Sequence, residues 1–186
     1  MVEMLQTTPA SAITTEAVLE TSGISRSSLY HHFADFSDLI EAAEVVRFSQ
    51  FVDRSLELLE SALEARTSAE LRTALLHVTR QTQARAFQPI RLLRLQALAK
   101  AAQSERFAAV LGAEQERLTQ AITDIVREVQ GRGLVNPSMD PRAAAVLIQA
   151  YTIGRAVDDI TPEHMTASAW LDVIDQVMDR VFLATD

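Results

Sequence analysis

Residues 13–33, ITTEAVLETSGISRSSLYHHF, carry two short helix signals joined by a turn that leaves room only for a corner between helices. Thr14 stands at an N-cap position, Glu16 places a carboxylate in the first turn, and Ile13 and Val18 have the spacing of a hydrophobic staple. A helix over residues 15–21 follows. Gly23 falls where a helix ends on a residue of positive φ, and Ser25, two residues on, can cap a second helix. Ile24 and Leu29 repeat the staple around that second cap. Helix, glycine turn and helix describe a helix-turn-helix.

Helical proteins contain many such corners that touch no DNA, so the content of the second helix decides the reading. Its first turn offers Arg26, Ser27 and Ser28, and its next turn Tyr30, His31 and His32. Leu29 and Phe33, four apart, form a narrow apolar stripe that turns the polar side chains outward. The free N–H groups of a helix start also suit a phosphate oxygen.

The run SGISRSSLYHHFADFSDLI, residues 22–40, resembles the DNA-binding segment of the TetR family of bacterial transcriptional repressors. That pattern is a glycine turn, a serine-led recognition helix, Leu-Tyr, His-Phe, and the start of a long fourth helix. The resemblance implies that Ser25, Arg26, Ser27, Ser28, Tyr30 and His31 line the major groove, with Thr14 and Thr15 on phosphate. It covers about 45 of the 186 residues; the remainder agrees with the family in length, helix content and layout. Two positions depart from it. Phe36 occupies the slot where the family often has a lysine, and only thirteen residues, interrupted by Pro9, precede Thr14. Either the chain starts late or its first helix is a stub over residues 2–7.

Charge runs against broad attraction to nucleic acid. The net charge is -8, and Arg26 is the only Arg or Lys up to Phe36, against Glu3, Glu16, Glu20 and Asp35. Weak non-specific binding and a shallow salt slope are expected. Specific binding can still use N–H groups, hydroxyls and helix N-termini. Cysteine is absent, which removes disulfides, cysteine-ligated metal and thiol catalysis. No phosphate loop, nucleophile elbow or His-Glu metal motif occurs, His31 and His32 are adjacent, and no enzyme, metal or cofactor is expected. The start MVEML has no leader pattern and no apolar run approaches a membrane span, so a cytoplasmic protein without membrane contact is expected.

Beyond the corner, helical spacing predicts an all-α chain of about nine helices: a helix-turn-helix domain over 1–36, then a ligand-binding and dimerisation domain over 37–186. The fourth helix begins near Asp35 or Ser37 and runs to about Arg66. A fifth, capped by Ser68, extends over 69–87; a sixth covers 90–103; a seventh covers 104–130 and closes at Gly131. Asp140-Pro141 and Thr161-Pro162 each pair an N-cap with proline at the first helical position, marking two last helices, the final one over 162–184. Between Leu71 and Ser104 there is no acid, while Arg72, Arg80, Arg85, Arg91, Arg94 and Lys100 are basic. Such a run is either a face paired with acidic helices nearby or an attraction for an anionic ligand.

The segment AAAVLIQAYTIG, 143–154, is apolar nearly all round, and the last helix has a broad apolar face. We expect these two to pair with their symmetry mates, through Ala150, Gly154, Trp170, Val173, Val177 and Val181, as a homodimer. Two-fold symmetry would then set two recognition helices on a pseudo-palindromic double-stranded operator. The resemblance further implies release by a small-molecule effector. Phe51, His77, Gln81, Phe87, Phe107 and Tyr151 are candidates for its site, although each is also a plausible packing residue. The competing reading is a dimeric helical small-molecule-binding protein with weakened or lost DNA binding.

Overall fold

The structure is a computed structural model and describes residues 1–183. Every named element among them is helical, as expected, and the β-pairing found there is an isolated antiparallel bridge between Val135 and Leu183. The chain opens with α1 (Met4–Thr7), a 3-10 turn at Ala10–Ala12, α2 (Thr15–Ser22), α3 (Arg26–His32) and the long α4 (Phe36–Glu64). The stub at the start is one turn because Thr8, preceding Pro9, is extended (φ -128°, ψ 129°), the conformation a following proline imposes. Leu5 of that turn is nonetheless buried and joins Ile13, Val18, Leu29, Leu39 and Ala43 in a small core.

The 29 residues of α4 span about 43 Å at 1.5 Å per residue. Its start is doubly tied: the Asp35 carboxylate accepts from the Asp38 N–H (2.8 Å) and the Asp38 carboxylate accepts from the Ala34 N–H (3.0 Å). Leu39 and Ala43 belong to the small core, while Phe48, Val52 and Leu59, further along the same helix, belong to the main core. Around that main core stand α5 (Ser68–Gln83), α6 (Gln88–Ala101), α7 (Glu105–Gly131), α8 (Pro141–Gly154), α9 (Ala156–Asp159) and α10 (Ala167–Val177). The central α7 packs most extensively against α4 and α8.

Four boundaries differ from expectation, each for a visible reason. The cap of α5 is Thr67: its hydroxyl accepts from the Glu70 N–H (3.2 Å) while the Glu70 carboxylate accepts from the Arg66 N–H (2.8 Å), and Ser68 is left to donate to the Leu134 carbonyl. The same helix stops at Gln83 instead of 87. Ala84 is extended (ψ 151°), and guanidinium groups take over the carbonyls there, Arg91 at Thr82 and Ala84, Arg155 at Gln83. Gly131 remains helical; Gly133, at φ +75°, makes the turn. Finally, Thr161-Pro162 does not open the last helix. The hydroxyl of Thr161 donates to the Asp158 and Glu163 carbonyls, the Asp158 carboxylate accepts from the Met165 N–H, and the helix starts at Ala167 under a Thr166 cap. A π turn, Met178–Phe182, continues it, and the expected end at Ala184 lies outside the described residues.

Candidate nucleic-acid interface and internal cavity

The corner is built as its sequence dictates. Thr14 Oγ1 accepts from the Ala17 N–H (3.2 Å), Gly23 adopts φ +69° and donates to the Leu19 carbonyl (2.9 Å), and Ser25 Oγ accepts from the Ser28 N–H (3.1 Å). Leu29, 1% exposed, pins α3 onto Val18, and so fixes which side chains of α3 face water. Ser25, Arg26, Ser27, Ser28, Tyr30 and His31 are all exposed, as is Thr14, with Thr15 half-buried beside it. Phe36, in the slot of a cationic anchor, packs against the small core instead.

One partner on this surface was missed in the sequence. The Arg26 guanidinium donates to the Glu16 carboxylate across the corner at 2.6 Å, with both side chains exposed. The helix-start N–H at Glu16 and then Arg26 hold that carboxyl below the usual range, so the first cation of the chain is accompanied by a firmly ionised acid. Opposite charges ten residues apart were the signal available.

Inside the main core lies a cavity of about 50 Å³ between α4, α5, α6, α7 and α8. A second void of about 30 Å³ adjoins it toward α10, and Leu59, Val78, Ile148 and Tyr151 line both. Of the expected ligand residues, Phe51, Phe87 and Tyr151 border the larger cavity. Burial raises the Tyr151 pKa, partly offset by its hydrogen bond to Thr79 at 3.1 Å, so the hydroxyl stays protonated. Phe107 is buried elsewhere in the main core, under the Lys100 ammonium at 4.8 Å from the ring centroid. His77 and Gln81 bond to each other at 2.7 Å on the outward side of α5.

Of the acid-free basic run, Arg80 and Arg85 are exposed, and the other four separate into two kinds of side chain. Arg72 bridges to Asp175 and Asp179 of the last helical stretch, Lys100 to Glu44 of α4, and Arg91, 1% exposed, makes a two-pronged pair with Asp159 at 2.8 and 2.9 Å. These fit the paired-face reading. Arg94, 2% exposed, has no acid in bridging distance among the described residues; its guanidinium lies 4.6 Å from the centre of the Phe51 ring and borders the cavity.

On the far side, Val146, Leu147, Ala150 and Gly154 of α8 are exposed, and Val157 and Ile160 beyond it more so, at 72% and 76%. Val173 and Val181 are exposed as well, whereas Trp170 and Val177 are half-buried. Within one chain α8 is therefore covered on one face only, by Ala144, Ala145 and Gln149, and its other apolar face stays open.

No family profile and no curated relative matches the chain. Solved structures do. A candidate transcriptional regulator from Saccharomonospora viridis, determined with choline, superposes with a TM-score of 0.71 at 13% identity over 99% of this chain and 94% of its own. The reduced form of NemR from E. coli gives 0.70 at 14% identity over 100% and 95%. The ketosteroid transcriptional regulator KstR2 of Mycobacterium tuberculosis gives 0.58 at 15% over 99% and 91%. At such identities the likeness is one of fold, and at that level it bears out the resemblance read from residues 22–40.

Proposed function

We propose that this chain is a ligand-responsive transcriptional regulator, a repressor in its simplest form, that binds a pseudo-palindromic operator as a homodimer and leaves it when a small molecule enters the internal cavity. The observation that carries this reading is α4. One uninterrupted helix supplies Leu39 and Ala43 to the core beneath the recognition helix and Phe51, Ser55 and Leu59 to the wall of the cavity. Any ligand that repacks that wall acts on the rod holding the DNA-binding end. The division into residues 1–36 and 37–186 is then one of task, with α4 common to both.

Two ion-pair clusters sit along the transmission path. Lys100 of α6 holds Glu44 at 2.6 Å, and Arg106 of α7 holds Asp38 and Glu41 near the start of α4. Movement of α6 or α7 around a bound effector thus reaches α4 at its DNA-proximal end. The exposed apolar faces of α8 and of the last helical stretch, which include Ala150, Gly154, Val173 and Val181, are the surface a second copy would cover. Two recognition helices about 34 Å apart would then meet successive major grooves.

A second reading, a dimeric helical ligand-binding protein with weakened DNA binding, draws on the Arg26–Glu16 pair and Phe36. Fluorescence anisotropy with DNA flanking the gene, at low salt, separates the two. A specific complex at nanomolar to low micromolar dimer is expected; its absence at micromolar dimer leaves the second reading standing.

A further inference from the structure

We infer that the ligand of the internal cavity is a small monocarboxylate with an apolar body, and that Arg94 is the cation it pairs with. The inference rests on the cavity being the effector site. Arg94 Nε and Nη2 are shielded from solvent and make no hydrogen bond among the described residues; the other orphaned buried polar atoms, on Gln83, Arg155, Trp170 and Asp175, belong to side chains that do not border the cavity. The other polar side chains bordering the cavity have partners. Ser55 and Thr152 donate to the carbonyls of Phe51 and Ile148, Thr82 to that of Val78, and Gln149 bonds Thr119 and Gln115. Tyr151 is engaged with Thr79, and Arg91, three residues before Arg94 on α6, is saturated by Asp159 and two carbonyls. Two guanidiniums thus border one cavity, one closed by protein acceptors and one left with donors.

The chemistry of the missing acceptor follows from that contrast. A planar fork of N–H donors is matched by a carboxylate, which takes two of them in parallel. A single uncompensated cation in a dry site calls for a single negative charge, since a dianion would bury a charge of its own and a cation would meet repulsion. The rest of the wall is apolar: Phe51, Leu59, Ile90, Leu118, Ile122 and Ile148. With the head group at Arg94, a short hydrocarbon tail has its path past Tyr151 into the adjoining void bounded by Leu75, Ile174 and Met178. Both voids are small, so the ligand is compact and its entry displaces side chains, Phe51 of α4 among them. Drawing Arg94 off the Phe51 ring is the step by which an anion would be felt on the rod.

The test uses the intact protein and four six-carbon probes of one shape: hexanoate, hexanamide, hexylammonium and hexyl phosphate, followed by calorimetric titration and thermal shift. Hexanoate is expected to bind roughly tenfold or more tightly than hexanamide, with hexylammonium and the dianionic phosphate ester weaker still. Arg94→Met should remove the preference for hexanoate over hexanamide while raising the melting temperature of the ligand-free protein; Arg94→Lys should retain the preference in reduced form. The inference is overturned if hexanamide binds as tightly as hexanoate, if hexyl phosphate binds best, or if Arg94→Met binds hexanoate unchanged. It is also overturned if no straight-chain carboxylate from acetate to octanoate binds. Operator binding without carboxylate binding sinks this inference alone, and carboxylate binding without any operator complex sinks the regulator reading alone.

Discussion

A guanidinium sealed against an aromatic ring with no acid beside it is an expensive residue to keep. Burial pushes Arg94 down to about 10 from the usual arginine value. Its folded-state pKa therefore lies below the unfolded one, the unfolded chain holds its proton more strongly, and stability rises with pH only above about 10. At neutral pH the whole cost is present. Replacing the charge with a well-fitting apolar side chain, Arg94→Met, should stabilise the ligand-free protein by about 1–4 kcal/mol in urea unfolding. Nothing local in the sequence distinguishes Arg94 from Arg91, since both sit in the same acid-free run. What separates them is Asp159, 68 residues further along, which reaches one and not the other. On the proposed DNA-binding face the decisive pair is again non-local. Glu16→Gln frees Arg26 and removes an acid from the approach to phosphate, so operator affinity should increase several-fold, read by anisotropy, with a steeper salt dependence. Arg26→Ala should do the opposite, weakening specific binding by about 1–3 kcal/mol with no change in melting temperature.

Among elements, those that announced themselves did so through caps. Thr14, Ser25, Asp35 and Asp140 each accept the N–H three residues on, as their types and spacing predicted, and Ser104, read only as the start of its helix, does the same. The helix α3 was legible for that reason, and because Gly23 supplied the one backbone geometry the corner needs. A Cβ at Gly23 meets nothing within 4 Å, so the φ of +69° alone opposes a side chain there. Gly23→Ala should cost about 1 kcal/mol and loosen α2 against α3, which amide hydrogen exchange over residues 15–32 would register. Where two cap signals competed, spacing could not choose. Thr67 prevailed over Ser68 because Glu70 completes a reciprocal pair, and Thr166 prevailed over Thr161 because Asp158 binds the intervening loop. The end of α5 was illegible, since guanidiniums from Arg91 and Arg155 receive its last carbonyls.

For the whole molecule, the open face of α8 and of the last helical stretch is the feature to test first. Ala150 is exposed at its middle, so Ala150→Glu should leave the monomer fold intact and convert dimer to monomer in sedimentation velocity. An unchanged dimer would place the interface elsewhere. The apolar composition of this face was plain in the sequence, and with it the shortfall of cover within one chain; that Ala144, Ala145 and Gln149 are the residues covered was not, because that depends on where α7 lies. The long helix α4 has a consequence of another kind. Its first turns help close one core and its middle helps close the other, while its last carbonyls, at Leu63 and Ala65, are held by Arg132 beyond α7. A corner of so few residues has too little core to persist by itself. It therefore melts when the rod melts, calorimetry should record a single cooperative endotherm, and the heat tolerance of the N-terminal corner is set by how well a cavity some distance away is filled.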